Sequence, residues 1–227
     1  MTGTKGLPGG GPGFAGGVLT SLLSARSRIG ITLASYRARV PDLPAARAIL
    51  LTGTVGSGKT AVTIAIGELL QQPYALVDLD WLGWVEPGPS SRFTQRSVLA
   101  ENLRLVWPTF REAGVQRLVL ARYVEDRAQL DEFRAALPGV ELCVVRLVAT
   151  QAVIERRLRA RDSGAQLAEH LAETAEFAAR GEASALEDAV VDNGDRPLAG
   201  VAAEVLAAAG WNADGGLASG PARREHA

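Results

Sequence analysis

A glycine-rich stretch that ends in a lysine and a threonine is the part of this sequence whose residue types most clearly suggest chemistry. It fits the pattern G-x-x-x-x-G-K-[ST], and its residues are Gly53, Thr54, Val55, Gly56, Ser57, Gly58, Lys59 and Thr60. In such a loop, successive backbone N–H groups point into one concavity that binds phosphate oxygens, and glycine permits the close approach. The lysine reaches the β- and γ-phosphates, and the threonine hydroxyl ligates Mg²⁺. The stretch is therefore predicted to bind a polyphosphate, with Thr60 as a metal ligand.

The residues on either side of this loop support the interpretation. An apolar run precedes it, and the apolar positions that follow it are spaced as on one face of a helix: Val62, Ala65, Ile66, Leu69 and Leu70. A strand, a loop and a helix in this order are the context that the motif requires. Lysine occurs only at positions 5 and 59, so a chain that otherwise uses arginine has lysine where a compact point charge suits phosphate. The alternative, a turn that matches by chance, is disfavoured by this context.

Two acidic residues, Asp78 and Asp80, end the next apolar run. Because residues two apart on a strand share a face, both carboxylates are predicted to lie beside the phosphate loop. One would hold Mg²⁺, directly or through water, and the other would accept a proton from an attacking hydroxyl. We assign Asp78 to the metal and Asp80 to the base and the acceptor. The reverse assignment stays open, as does a role for one acid in capping a loop.

A group of arginines precedes a break in the helical pattern at Ser163-Gly164: Arg156, Arg157, Arg159 and Arg161. Arginines on a mobile segment stabilise charge on a transferred phosphoryl group. A solvated helix face, paired with nearby acids, is the equal alternative. Arg157 and Arg161, one helical turn apart, are the preferred catalytic candidates.

Residues that follow other predicted strands are candidates for the remaining contacts. We assign Trp81, Arg92 and Arg122 to the acceptor, and Asn193 to the nucleotide base. Packing of the loop that carries Trp81 and Trp84 against the sheet is an equal alternative, as is a plain turn at Asn193.

The composition narrows the classes of function. The chain has 227 residues, of which 47% are hydrophobic, and a net charge of −1, so it has room for one α/β domain with tails. The charge argues against a protein that coats nucleic acid or binds membranes through a basic patch, and no apolar run approaches the roughly 20 residues of a membrane span. A single cysteine, Cys143, and only two histidines argue against an internal disulfide and a His-rich metal site. These features favour a cytoplasmic location.

Apolar runs alternate with helical patterns along the chain, which predicts an α/β fold with a parallel sheet covered on both faces. The domain is predicted to span residues 46–211. The Gly/Pro-rich segment 1–45 and the tail 212–227 are predicted to be largely disordered. A loop is expected over 81–93. A helix is expected over 94–114, with Pro108 kinking or dividing it.

Residues 46–211 resemble the P-loop small-molecule kinases, a group that includes shikimate and gluconate kinases, nucleoside monophosphate kinases and chloramphenicol phosphotransferase-like proteins. The resemblance rests on the Walker A loop, the acid pair, the arginine-rich helix before a short lid, and the Val-Asp-Asn strand end. It implies a five-stranded parallel sheet of order 2-3-1-4-5, ATP and Mg²⁺ as cofactors, and a lid arginine that clamps the transferred group. Shikimate-kinase-like members have a glycine pair after the third strand, where this chain has Ala121-Arg122, so the acceptor does not carry over.

These observations predict an ATP- and Mg²⁺-dependent kinase that phosphorylates a hydroxyl or phosphate of a small molecule, with no nucleic-acid or membrane partner. Two alternatives stay open. A regulatory nucleotide-binding module with little or no kinase activity ranks second. A partner-coupled NTPase ranks third, because the sequence contains no N-K-x-D motif and no acid after a long apolar third strand. The acceptor and the oligomeric state are not predicted.

Overall fold

A computed structural model describes residues 45–85, 94–184 and 186–211 of the chain. Its strands form one sheet in the order β2-β3-β1-β4-β5, and all the pairings are parallel. The strands are β1 (Ala46–Thr52), β2 (Tyr74–Asp78), β3 (Arg117–Ala121), β4 (Val140–Val148) and β5 (Ala189–Asp192). The predicted α/β class and the strand order 2-3-1-4-5 are confirmed.

Helices connect the strands within the described ranges. They are α1 (Lys59–Leu69), α2 (Leu79–Leu82), α3 (Gln95–Glu112), α4 (Arg127–Ala136), α5 (Gln151–Arg161), α6 (Gly164–Ser184) and α7 (Leu198–Ala208). The Thr94 and Thr150 side chains accept hydrogen bonds from backbone N–H groups in the first turns of α3 and α5 and so cap these helices.

The sheet separates two apolar layers. Alternate residues of β1 contribute to each: Leu50 packs with the layer that contains Leu103 and Phe133, and Ile49 packs with the layer that contains Ile66 and Val205. Both faces of β1 are covered, which is why the strand is a continuous apolar run. The sheet therefore holds the segments that follow its strands at one fixed edge.

One local prediction was wrong, and one was wrong in part. Residues 81 and 82, expected in a loop, belong to α2, because the Asp78 side chain accepts a hydrogen bond from the Asp80 N–H and starts a helix directly after β2. Asp80 is therefore on a helix and not on the strand. Of the two outcomes expected at Pro108, a kink or a division, the division does not occur, because α3 is continuous over Gln95–Glu112. The proline removes one backbone hydrogen bond, while the buried Leu103 and Trp107 hold the helix on the sheet.

Three sequence predictions fall wholly or almost wholly outside the described residues: the disordered N-terminal segment, the tail 212–227 and the position of Arg92. None of the helices that the structure describes is long and apolar enough to cross a membrane.

Candidate active site

The predicted site residues that the structure describes meet at the carboxyl edge of the sheet. The glycine-rich loop follows β1, Asp78 ends β2, Arg122 follows β3, and Asn193 follows β5. Asp78 lies opposite Ala121 in the register of β2 with β3, so Arg122 comes directly beyond the Asp78 position. Parallel sheets place ligands at this edge.

The loop is closely packed against the segment that follows β5. Gly58 has a φ of 93°, and a Cβ added there would lie 2.4 Å from Asn193 Nδ2. Asn193 is buried, and its Nδ2 donates a hydrogen bond of 2.7 Å to the Ser57 carbonyl. Gly53, with a φ of 136°, would place a Cβ 2.4 Å from the Leu147 carbonyl oxygen. Glycine is thus required at both positions for backbone conformation and for space.

Lys59 begins α1 and bends back over the loop. Its Nζ donates hydrogen bonds to the carbonyl oxygens of Gly53, at 2.9 Å, and Thr54, at 3.1 Å. The pKa of Lys59 is lowered to about 8, chiefly because burial disfavours the charged form. Bound phosphate would replace the lost solvation and raise this pKa again.

Four charged groups act on the Lys59 ammonium in addition to burial. Asp80 and then Asp78 raise its pKa, whereas Arg161 and Arg122 lower it. Charges on β2, α2, α5 and the segment after β3 therefore converge on one lysine. Asp78, Asp80, Arg122 and Arg161 thus lie near enough to Lys59 to change its pKa.

Thr60 and Asp78 form a pair of oxygen ligands beside the loop. The Thr60 hydroxyl donates to Asp78 Oδ2 over 3.4 Å. Mg²⁺ is commonly held by one or two protein oxygens together with phosphates and water, so this pair fits that ion. Among the described residues there is no cluster of three or more His, Cys, Asp and Glu side chains that would hold a metal by itself. The pair therefore fits a metal that arrives with a polyphosphate.

An ion pair joins Asp80 to Arg122. Arg122 Nη1 donates to Asp80 Oδ1 over 2.6 Å, and the backbone N–H of Arg122 donates to the Leu51 carbonyl over 3.0 Å. The arginine side chain is 19% exposed and the aspartate side chain 58% exposed. Both residues were predicted from the sequence, but their pairing was not. Their positions after neighbouring strands were the available signal.

Arg157 and Arg161 have different surroundings. Arg157 Nη2 donates to the Gly194 carbonyl over 2.8 Å, so this arginine supports the segment after β5, next to the loop. Arg161 donates two hydrogen bonds to Asp162, over 2.7 and 2.9 Å, and His170 Nδ1 lies 2.7 Å from the same carboxylate. Arg161 and His170 hold the pKa of Asp162 far below its usual range. The junction of α5 and α6 is thus tied together beside Lys59.

Arg156, Arg159 and the single cysteine are not linked to the glycine-rich loop by any ion pair or hydrogen bond among the described residues. Arg156 pairs with Asp195, and Arg159 pairs with Glu155, which agrees with a solvated helix face. Burial raises the pKa of the Cys143 thiol, on β4, to about 11, so the thiol stays protonated at neutral pH.

Trp81 and Trp84 are exposed and are not packed on the sheet. Their side chains are 75% and 59% exposed, and their ring centroids lie 5.9 Å apart. The alternative that the loop packs through these residues is therefore wrong. By contrast, Trp107 and Trp211 are buried.

No protein-family model matches the sequence, and no curated protein matches it in a sequence comparison. Solved structures do match the fold. A sugar kinase from Janibacter sp. HTCC2649 is 19% identical, with 71% of this chain and 93% of that chain covered and a TM-score of 0.50. A tunicamycin resistance protein from Deinococcus radiodurans is 20% identical, with 74% and 97% covered and a TM-score of 0.51. The resemblance to P-loop small-molecule kinases is thus confirmed at the level of the fold.

Proposed function

We propose that this protein is an ATP- and Mg²⁺-dependent kinase that phosphorylates a small molecule on a hydroxyl or a phosphate. The observation that carries the proposal is the convergence of Asp78, Asp80, Arg122 and Arg161 on Lys59 of the phosphate loop. A loop that only bound nucleotide would need the lysine and the glycines. It would have no need of a second carboxylate and two arginines around that lysine.

The donor half of the site is assigned to the loop and α1. The N–H groups of the loop and the N-terminus of α1 bind the phosphates, and Lys59 moves from the carbonyl oxygens of Gly53 and Thr54 to the phosphate oxygens. Thr60 and Asp78 would hold Mg²⁺, which when bound would neutralise charge on the phosphates. Asn193 stabilises the conformation of the loop, because its side-chain amide donates a hydrogen bond to the Ser57 carbonyl.

The acceptor half is assigned to Asp80 and Arg122. An acceptor oxygen attacks the γ-phosphorus of ATP, the bond from that phosphorus to the β–γ bridging oxygen breaks, and ADP leaves. When the acceptor is a hydroxyl, Asp80 takes its proton, and Arg122 fixes the direction of the carboxylate through the 2.6 Å hydrogen bond. Arg161 lies close enough to Lys59 to add positive charge near the transferred group.

The test is to measure Mg·ATP binding by calorimetry and phosphate transfer to pooled metabolites by mass spectrometry. Lys59→Ala is compared with Lys5→Ala, which removes the chain's only other lysine. A charge-assisted hydrogen bond contributes about 1.5 to 3 kcal/mol, so Lys59→Ala should weaken binding about 10- to 100-fold and abolish transfer. Lys5→Ala should behave as the wild type.

Two results would contradict the proposal. Equal ATP affinity in the Lys59→Ala variant would show that the loop does not bind the phosphates. Tight ATP binding by the wild type without transfer to any metabolite would favour the regulatory module.

A further inference from the structure

Helix α5 packs directly on the glycine-rich loop. A Cβ added to Gly56 would lie 2.9 Å from Ile154 Cγ2 and 3.2 Å from Leu158 Cγ. Both of these α5 side chains are buried. One helical turn after Leu158, the backbone N–H of Asp162 donates to the Leu158 carbonyl over 2.8 Å. The carboxyl end of α5 is therefore held at a fixed position relative to the loop.

The residue that follows α5, Asp162, has a buried carboxylate. Its side chain is 5% exposed, and it accepts hydrogen bonds from Arg161 Nε over 2.7 Å and from Arg161 Nη2 over 2.9 Å. His170 Nδ1 of α6 lies 2.7 Å from the same carboxylate, so this nitrogen carries the proton of the contact. We call Arg161, Asp162 and His170 the α5–α6 cluster.

The carboxylate of Asp162 holds side chains and does not cap a helix. An aspartate shortly before a helix commonly accepts hydrogen bonds from backbone N–H groups of the first turn. Within the described ranges, the side chain of Asp162 accepts only from Arg161 and His170. Burial without such partners would be costly for a carboxylate, so these two side chains and Asp162 depend on each other.

Arg161 is held by only one edge of its guanidinium. Its Nε and Nη2 donate to Asp162, whereas its Nη1 makes no hydrogen bond to any residue that the structure describes. The side chain is 56% exposed, and it lies close enough to Lys59 to lower the pKa of that lysine. A long side chain loses rotamer freedom when a ligand fixes it, which weakens binding. Because Asp162 already fixes the guanidinium, the remaining donors are preorganised beside the phosphate loop.

His170 supports the carboxylate from α6. Its side chain is 22% exposed, and its backbone carbonyl accepts a hydrogen bond of 2.6 Å from the hydroxyl of the fully buried Thr174. Hydrogen bonds from such an outer group fix the orientation of a group that acts on a ligand. The cluster thus leads from α6, through a buried carboxylate, to an arginine near Lys59.

We propose that Asp162 and His170 are positioning residues for phosphoryl transfer. Asp162 holds the Arg161 guanidinium so that its remaining donors meet the oxygens of the transferred phosphate, and His170 holds Asp162 in that orientation. Arg161 then provides a preorganised positive charge where charge is redistributed during transfer. This inference rests on the proposed kinase function and adds two residues to the site.

The experiment measures binding, so it needs no acceptor. The affinity of the full chain for Mg·ADP is measured by calorimetry with and without aluminium fluoride, an anion that takes the place of the transferred phosphoryl group. The ratio of the two affinities reports contacts with that group alone, because contacts with ADP are present in both measurements. Transition-state analogues bind about 100-fold or more tightly than ground-state ligands, so the wild type should show a gain of about 100-fold or more.

Substitutions at Arg161 and Asp162 show whether one acts through the other. Arg161→Ala should lower the gain about 10- to 100-fold, because a charge-assisted hydrogen bond is lost. Asp162→Asn should lower it about tenfold, because the arginine loses its fixed direction. In the Arg161→Ala background, Asp162→Asn should change the gain by less than about twofold. The affinity for Mg·ADP alone should stay within about threefold in all these variants, because the residues that bind ADP are kept.

His170→Asn and His170→Leu form a matched pair of similar shape. Asparagine Nδ2 takes the place of histidine Nδ1 and still donates to Asp162, so this variant should keep the gain within about twofold. Leucine removes the donor and should lower the gain about fivefold. Arg159→Ala and Glu155→Gln are the controls, because these two residues pair with each other on the solvated face of α5. Neither control should change the gain.

The outcomes separate this inference from the function on which it rests. If Mg·ADP binds and the gain is unchanged by Asp162→Asn and His170→Leu, the positioning roles are overturned and the kinase stands. Equal losses from Asp162→Asn with and without Arg161 would show a structural role and also overturn them. Should Asp162→Asn fail to fold, equal gains in the two His170 variants would have the same meaning. Absence of Mg·ADP binding by the wild type would overturn the proposed function itself.

Discussion

Replacing Gly58 with alanine should destabilise the protein more than a left-handed backbone alone explains. A residue with a Cβ at a φ of 93° loses about 1 to 2 kcal/mol. The new Cβ would also lie 2.4 Å from Asn193 Nδ2, which must then leave the Ser57 carbonyl. A buried polar group without its partner costs about 1 to 3 kcal/mol. Gly58→Ala should therefore lower the free energy of unfolding by about 2 to 5 kcal/mol.

The matched control is Gly114→Ala, at a glycine that also has a positive φ but no neighbour with which a Cβ would clash. Gly114 has a φ of 85°, and a Cβ there meets nothing within 4 Å. This variant should lose only about 1 to 2 kcal/mol. The free energy of unfolding is measured in urea for Gly58→Ala and Gly114→Ala, each with and without the second substitution Asn193→Ala. Relief of the clash should make Gly58→Ala and Asn193→Ala non-additive by about 1 kcal/mol or more. Equal destabilisation by Gly58→Ala and Gly114→Ala would refute the claim that a Cβ at position 58 clashes with Asn193.

Three further predictions concern the reaction. Because the pKa of Lys59 is lowered to about 8 and phosphate should raise it, Mg·ATP binding should take up a proton above pH 8 and weaken by up to about tenfold per pH unit. Calorimetry at pH 9 in two buffers of different ionisation enthalpy measures this uptake, and its absence would contradict the role of Lys59. Asp80→Asn should lower kcat by about 100-fold or more with a much smaller change in Mg·ATP affinity, because the proton acceptor is lost while the residues that bind the phosphates stay. Asp78→Ala should instead raise the Mg²⁺ concentration needed for half-maximal activity; equal Mg²⁺ dependence would assign the metal elsewhere.

The sequence predicted the sheet order and the position of several candidate residues at the carboxyl edge of the sheet. The loop motif predicts a strand before it and a helix after it, because it functions only between these two elements. The carboxyl ends of parallel strands must meet at one edge, so Asp78, Arg122 and Asn193 were predicted to lie together. The resemblance to known kinases supplied the strand order.

The errors arose where a side chain changed the backbone or where partners were distant in sequence. Asp80 was placed on a strand because the capping hydrogen bond from its N–H to Asp78 was not anticipated, although an aspartate at a strand end is a good N-cap. The contact of Asn193 with Ser57 joins residues 136 positions apart, and no local pattern reports such a pair. The exposure of Trp81 and Trp84 depends on which side of α2 packs on α3, which only the tertiary structure defines.

Phosphorus NMR of the wild-type protein with Mg·ATP and pooled hydroxylated and phosphorylated metabolites tests the central claim most directly. Our account predicts that the γ-phosphate resonance disappears while ADP and a new phosphate ester appear together. It also predicts that this conversion is lost in the Lys59→Ala variant. Unchanged ATP, or release of inorganic phosphate as the only product, would contradict the assignment of this site to a kinase.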